Sequence, residues 1–116
     1  MGYIKVDDNN MLNCGMDIYD LKVLQTDPNT IAVYVTYNVD MGSNKLLKVR
    51  ITYLGGEEEQ VATPLSNITS LWRDLIVEMS NQPGIVDAPV IYNNTGTINV
   101  PSFEIGISAS GLPGLP

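Results

Sequence analysis

The sequence contains no histidine and a single cysteine, Cys14. The absence of histidine removes the commonest general base and metal ligand, and with it the Ser-His-Asp and Cys-His catalytic systems. One cysteine cannot form an intrachain disulfide and is too small a ligand set for a zinc site. The sequence therefore predicts a non-enzymatic protein with no metal or other cofactor, made and kept in a reducing compartment.

Basic residues are also scarce, because six lysines and arginines stand against 13 acidic residues, for a net charge of −7. Binding to phosphates requires clustered Lys and Arg, so neither nucleic acid nor an anionic membrane is expected as a partner. The basic cluster that does occur, Lys45, Lys48 and Arg50, is interpreted as a solvated sheet face, with contact to an acidic partner as the alternative. No run approaches the roughly 18 apolar residues of a membrane span, and the first eight residues lack the apolar core of a signal peptide.

The segment Thr63–Ser80 has a clear helical period. Six apolar side chains fall within one arc of about 100° on a helical wheel, as expected for an amphipathic helix. They are Leu65, Ile68, Trp72, Leu75, Ile76 and Met79. Thr63 is predicted as the N-cap with Pro64 as the first helical residue, and Pro83-Gly84 is predicted to end the helix.

Alternation of apolar and polar residues predicts antiparallel strands before the helix. The strongest are Ile31–Tyr37, in which Ile31, Val33, Val35 and Tyr37 share one face, and Leu47–Tyr53. Two weaker strands are Tyr3–Val6 and Asp17–Gln25, the latter with Tyr19, Leu21 and Val23 on one face. Residues 11–15 are predicted to be connecting chain.

The turn Gly55-Gly56 predicts a hairpin whose second strand begins near Gln60–Ala62, with Glu57–Glu59 facing Lys48 and Arg50. After Gly84, a second small hairpin and a final extended run are expected. Tyr34, on the less apolar face of its strand, is expected to be exposed or, as the preferred alternative, covered by the C-terminal segment.

These elements predict an α+β fold. It consists of an antiparallel β-meander of three to four strands with one amphipathic helix packed on it, plus an extended C-terminal arm. Residues 1–84 are expected to form the core domain of meander and helix. Residues 85–116 are expected to form the C-terminal hairpin and arm.

This organisation rests on four segments: Tyr3-Ile4-Lys5-Val6, Ile31–Tyr37, Leu47–Tyr53 and Leu65–Met79. In style, the chain resembles the small capsid-decorating or tail-associated structural proteins of tailed bacteriophages. The resemblance implies a virion subunit, such as a cement protein, that is assembled in many copies in a host cytoplasm and binds copies of itself or the major structural protein. The arm would contact neighbouring subunits by strand addition or groove filling. Its candidate partner-binding residues are Phe103, Ile105, Ile107, Leu112 and Leu115.

Two alternatives remain open from the sequence. A cellular adaptor or peptide-binding module would receive a peptide at an exposed strand edge, either Tyr3–Val6 or Gln60–Ala62. A small carboxylate-dependent enzyme would bring Asp and Glu side chains together in a cleft. The candidate pairs are Asp17 with Asp20, and Asp74 with Glu78.

Overall fold

The computed structural model describes residues 1–42, 45–54, 62–92 and 98–107. Within these ranges the chain forms eight strands and one helix. In chain order they are β1 (Tyr3–Asp7), β2 (Asn10–Asn13), β3 (Ile18–Asp27), β4 (Thr30–Asp40), β5 (Leu46–Leu54), α1 (Leu65–Asn81), β6 (Ile85–Asp87), β7 (Ile91–Tyr92) and β8 (Ile98–Ile107).

The larger sheet has five strands in the order β3-β4-β5-β8-β7, and all of its neighbouring strands are antiparallel. Its first three strands are the predicted meander. The pairing of β7 with β8 is the predicted second hairpin, although β8 is one continuous strand and not a short return followed by a separate run. With α1 packed on sheets that are mainly antiparallel, the α+β class is confirmed.

The smaller sheet has the order β2-β1-β6. β1 pairs antiparallel with β2 and parallel with β6, so Tyr3 lies between Asn13 and Ile85. Two expectations are wrong here. Residues 10–13 form a strand and not simple connecting chain, and Tyr3–Val6 offers no free edge for a peptide because it is the central strand.

The core lies between one face of the larger sheet and the layer formed by α1 and the smaller sheet. The four predicted inward residues of β4 are all buried, at 2% exposure or less. The helix stripe is confirmed for Ile68, Trp72, Ile76 and Met79, whereas Leu75 is half-buried and Leu65 is 37% exposed. Leu65 is the first residue of the helix.

The start of α1 differs from the prediction by one residue. Pro64 is the N-cap, with an extended backbone (φ −60°, ψ 145°), and Leu65 is the first helical residue. The Thr63 hydroxyl oxygen instead accepts a 3.0 Å hydrogen bond from the Tyr92 backbone N–H. The backbone N–H of Ala62 donates to the Tyr92 carbonyl at 2.8 Å, so the chain entering the helix is bonded to β7.

The second edge of β5 is occupied by β8, which pairs with it from Leu47 to Leu54. That is the edge on which the predicted hairpin strand would have paired. The expected turn and most of its second strand, residues 55–61, lie outside the described residues. Arg50 forms an ion pair with Glu104 of β8, with the two side chains 2.5 Å apart.

The second face of β4 is also buried. Ala32, Tyr34 and Thr36 are 2%, 3% and 4% exposed. Tyr34 is therefore covered, and the less favoured of its two alternatives, an exposed side chain, is wrong. Across this face, Tyr34 lies opposite Arg50, which lies opposite Glu104. The side chain of Arg50 is only 15% exposed, so the interpretation of this basic cluster as solvated does not hold for Arg50. The C-terminal segment was the expected cover of Tyr34, and its residues 108–116 lie outside the described residues.

Candidate functional site

A groove of about 650 Å³ separates α1 from the first half of β3, and we call it the α1–β3 groove. One wall is helical, the other is the chain entering β3, and the N-terminal residues close one end. The lining residues are Met1, Cys14, Gly15, Met16, Asp17, Ile18, Tyr19, Asp20, Leu21, Arg73, Ile76, Val77 and Ser80. Three apolar side chains of this lining are largely exposed: Met1 at 72%, Tyr19 at 70% and Val77 at 57%.

Backbone hydrogen bonds fix the N-terminal end of the α1–β3 groove. The Gly2 N–H donates to the Met79 carbonyl at 2.7 Å, and the Cys14 N–H donates to the Gly2 carbonyl at 3.0 Å. Gly2 is buried, and a Cβ there would lie 2.9 Å from the carbonyl oxygens of Gln82 and Gly84 and against Met79 Cε. A glycine is therefore required for the chain to approach the end of α1 this closely.

A β-bulge shapes the β3 wall. Ile18 pairs with Tyr37 and Asp20 with Thr36, so Tyr19 is the extra residue. Ile18, Leu21 and Val23 pack against the core, while the Tyr19 side chain is 70% exposed. The sequence grouped Tyr19 with Leu21 and Val23, and this is wrong because a bulge reverses the alternation of faces.

The same wall is tied to β4 through Asp17. The backbone N–H of Asn38 donates to the Asp17 carbonyl at 2.8 Å, and the Asn38 side-chain amide donates to Asp17 Oδ2 at 3.2 Å. The backbone carbonyl and one carboxylate oxygen of Asp17 are therefore engaged in holding the entrance to β3. Asp17 and Asp20, one of the carboxylate pairs proposed from the sequence, both line the groove.

The other proposed pair, Asp74 and Glu78, lies on the exposed side of α1 and does not contribute to the groove lining. Among the described residues, no three His, Cys, Asp or Glu side chains come together as a set of metal ligands. The helix of the described part of the chain is also neither long nor apolar enough to cross a membrane.

Cys14 lies behind the groove surface, at 2% exposure. Burial raises the pKa of its thiol from 9.0 to about 11, so the thiol is protonated near neutral pH. Its Sγ lies 3.8 Å from the Leu12 carbonyl oxygen. A nucleophilic cysteine needs a lowered pKa and access to solvent, and Cys14 has neither.

Two tyrosine hydroxyls join different parts of the fold. Tyr37 donates a 2.6 Å hydrogen bond to the Asn13 carbonyl, and burial, together with the neighbouring Cys14, raises the pKa of its hydroxyl. Tyr53 donates at 2.6 Å to the Pro89 carbonyl, and burial raises its pKa as well. The ring of Tyr53 meets Trp72 edge-to-face, with centroids 6.5 Å apart. Both hydroxyls are therefore structural donors.

The partner-binding residues proposed from the sequence lie away from this groove. Phe103, Ile105 and Ile107 belong to β8, opposite Ile51, Val49 and Leu47. The side chain of Ile105 is 62% exposed although Val49 opposite it is buried. Leu112 and Leu115 lie outside the described residues. The sequence missed the groove, because it arises only where α1 lies against β3.

The larger sheet ends at β3, which has β4 as its one neighbour among the described strands. At the opposite end, β7 is already bonded to Ala62 and Thr63. A strand with an unpaired edge presents a row of N–H and C=O groups that can pair with another chain. We call the side of β3 that faces away from β4 the β3 edge. It adjoins the α1–β3 groove, because β3 also forms one wall of that groove.

Comparison with protein-family models, with curated proteins and with solved structures gives no match to this chain.

Proposed function

We propose that this chain is a non-enzymatic structural subunit that binds a neighbouring protein of an assembly in the α1–β3 groove. The observation that carries the proposal is the exposure of Met1, Tyr19 and Val77 along one groove. Apolar side chains gathered on a surface lose free energy when a partner removes them from water, and tyrosine is enriched in such interfaces.

The charged groups of the groove fit the same role. Asp17, Asp20 and Arg73 stand among the apolar lining residues. Polar groups around an apolar centre are typical of protein–protein interfaces, where they set orientation and specificity. The hydrogen bonds of Gly2, Cys14 and Asn38 support the binding role further, because a fixed framework loses little conformational entropy on association.

The setting that we propose is the virion of a tailed bacteriophage, where the chain decorates or cements a capsid or joins tail parts. This setting rests on the resemblance of the sequence. The neighbouring protein is then another copy or the major structural protein, present in many copies. In the same proposal Phe103, Ile105, Ile107, Leu112 and Leu115 form a second contact, and the 62% exposure of Ile105 supports it.

The experiment is co-sedimentation of the chain with particles from cells that produce both. We expect the wild-type chain in the particle fraction at a fixed number of copies, measured by quantitative mass spectrometry. The double variant Tyr19→Asp with Val77→Asp places charges in the groove and is expected to move to the soluble fraction. Leu54→Asp is the matched control, since Leu54 is 62% exposed but lies outside the groove lining.

Two results would count against the proposal. A wild-type chain that stays in the low-mass soluble fraction while particles form overturns the subunit function. A groove variant that sediments like the wild-type chain, when its circular dichroism spectrum shows that it is folded, overturns the assignment of the groove.

A further inference from the structure

The β3 edge is ten residues long and carries a regular segment between two bulges. From Asp20 to Gln25 the strand pairs with β4 without interruption, and the irregularities lie between Ile18 and Asp20 and between Gln25 and Asp27. Short strands, bulges and charges are the usual means of protecting an edge. The central part of β3 has regular pairing geometry, so its outer edge is suited to a further strand.

The two faces of this segment differ in charge. Leu21 and Val23 pack against the core, whereas Asp20 and Lys22 are exposed. Because successive side chains alternate between faces, Asp20 and Lys22 stand on the same face, two residues apart. They are the acidic and basic residues of the regular segment, and their order limits how a second strand can pair with it.

When a twofold axis relates two identical antiparallel strands, the residue at the axis lies opposite its own copy. This follows because residues directly opposite one another must point to the same face of the sheet. An axis at Asp20 sets two carboxylates against each other, and an axis at Lys22 sets two ammonium groups against each other. An axis at Val23 places Lys22 opposite Leu24 and leaves the charges unmatched. An axis at Leu21 places each Asp20 opposite a Lys22, twice in the pair.

We propose that two copies of this chain pair through their β3 edges, antiparallel, about a twofold axis at Leu21. The inference rests on the proposed function, because the second copy is one of the protein neighbours of the subunit. The charge pattern selects this register, since opposite charges directly across a sheet stabilise the pair and like charges destabilise it.

The register also brings the two copies of Leu21 opposite one another, on the face of β3 that packs against the core. Because the axis is perpendicular to the sheet, the two helices lie on the same side of a continuous sheet.

The test is a charge swap followed by sedimentation equilibrium of the full chain. The wild-type chain is expected to be a dimer. Asp20→Lys and Lys22→Asp each place like charges opposite one another twice, so each is expected to weaken dimerisation about tenfold or more. The double variant, Asp20→Lys with Lys22→Asp, restores opposite charges and is expected to dimerise like the wild type.

The matched controls are Asp74→Lys and Lys45→Asp, which make the same charge changes at exposed positions away from β3. Both are expected to dimerise like the wild type. Covalent trapping gives a second readout. Under oxidation Leu21→Cys, at the axis, should form a disulfide-linked dimer, whereas Gln25→Cys should not, because the axis at Leu21 does not bring two copies of residue 25 together. Cys14 is buried and does not compete.

A monomeric wild-type chain overturns the pairing. Single charge reversals that dimerise as tightly as their controls also overturn it, and so does a double variant that fails to recover dimerisation. These outcomes are separable from the fate of the proposed function. A monomer that still co-sediments with particles removes the β3 pairing and leaves the subunit function standing. A dimer that shows the predicted charge response but stays out of particles supports the β3 pairing and overturns the subunit function.

Discussion

The hydroxyl of Tyr37 donates a 2.6 Å hydrogen bond to the main-chain carbonyl of Asn13. The bond joins the larger sheet, through β4, to the last residue of β2 in the smaller sheet. It lies directly behind the α1–β3 groove, beside Cys14. This polar contact therefore adds to the apolar packing that holds the two layers together behind the groove.

We expect Tyr37→Phe to lower the free energy of unfolding by about 1–2 kcal/mol, because the partly buried Asn13 carbonyl would lose its donor. Urea denaturation monitored by circular dichroism measures this. Tyr19→Phe removes a hydroxyl from a side chain that is 70% exposed and should leave stability unchanged within about 0.5 kcal/mol. Equal stability of Tyr37→Phe and the wild type would show that the hydrogen bond contributes nothing net.

Gly2→Ala is expected to destabilise the fold by about 1–3 kcal/mol, since the added methyl group would meet the backbone at the end of α1. The nearest carbonyl oxygens, those of Gln82 and Gly84, lie 2.9 Å from the Cβ position. Gly15→Ala is the control. Its Cβ would meet only side-chain atoms of Asn13 and Met1, at 3.1 Å, and these can move aside. Thermal unfolding of the two variants should therefore rank Gly2→Ala well below Gly15→Ala, and the opposite order would refute the packing argument.

Stability should fall as the pH rises from about 9 to about 11. Burial raises the pKa of the Cys14 thiol from 9.0 to about 11, so in this range the unfolded chain loses a proton that the folded chain retains. Below pH 9 the thiol is protonated in both states and its contribution to stability is constant. The raised pKa values of Tyr37 and Tyr53 extend the loss above pH 10.

The measurement is the free energy of unfolding in urea at intervals between pH 8 and pH 11. Cys14→Ala should cost about 1 kcal/mol at pH 8 through lost packing, yet show a shallower decline with pH. A decline as steep in Cys14→Ala as in the wild type would mean that the thiol does not contribute to it.

Two truncations separate the fold from the arm. Ending the chain after Val100 removes most of β8, which pairs with β5 along eight residues from Leu47 to Leu54, and should abolish cooperative unfolding. Ending it after Ile107 retains every described strand and should preserve the fold. Far-ultraviolet circular dichroism with thermal unfolding distinguishes the two. A cooperative transition in the shorter chain would show that β8 is dispensable for the larger sheet.

The local sequence pattern was sufficient to predict β4 and α1. The β-branched residues from Ile31 to Val35 favour a strand, and one face of them is buried as expected. In α1 the period of 3.6 identified Ile68, Trp72 and Met79 as the buried stripe. Both elements have long, regular patterns in which intrinsic preference and tertiary packing agree.

Local pattern failed where distant pairing decides the structure. β2 has asparagine at both ends, which disfavours a strand, and it forms because β1 lies beside it. β8 takes the edge of β5 from residues far along the chain, and periodicity carries no information about which strands become neighbours. The bulge at Tyr19 likewise depends on the register with β4. The groove follows from that bulge and from the position of α1, so no sequence signal marked it.

The parallel pairing of β1 with β6 also orders events in time. Tyr3 lies opposite Ile85, and Gly2 is bonded to the end of α1, so the first strand of the chain gains its second neighbour only after the helix has been made. During synthesis at about 5–20 residues per second, the N-terminal hairpin must wait several seconds for these contacts. The β3-β4-β5 meander, whose contacts are local, can assemble first, and the N-terminal segment and β8 join the two sheets later.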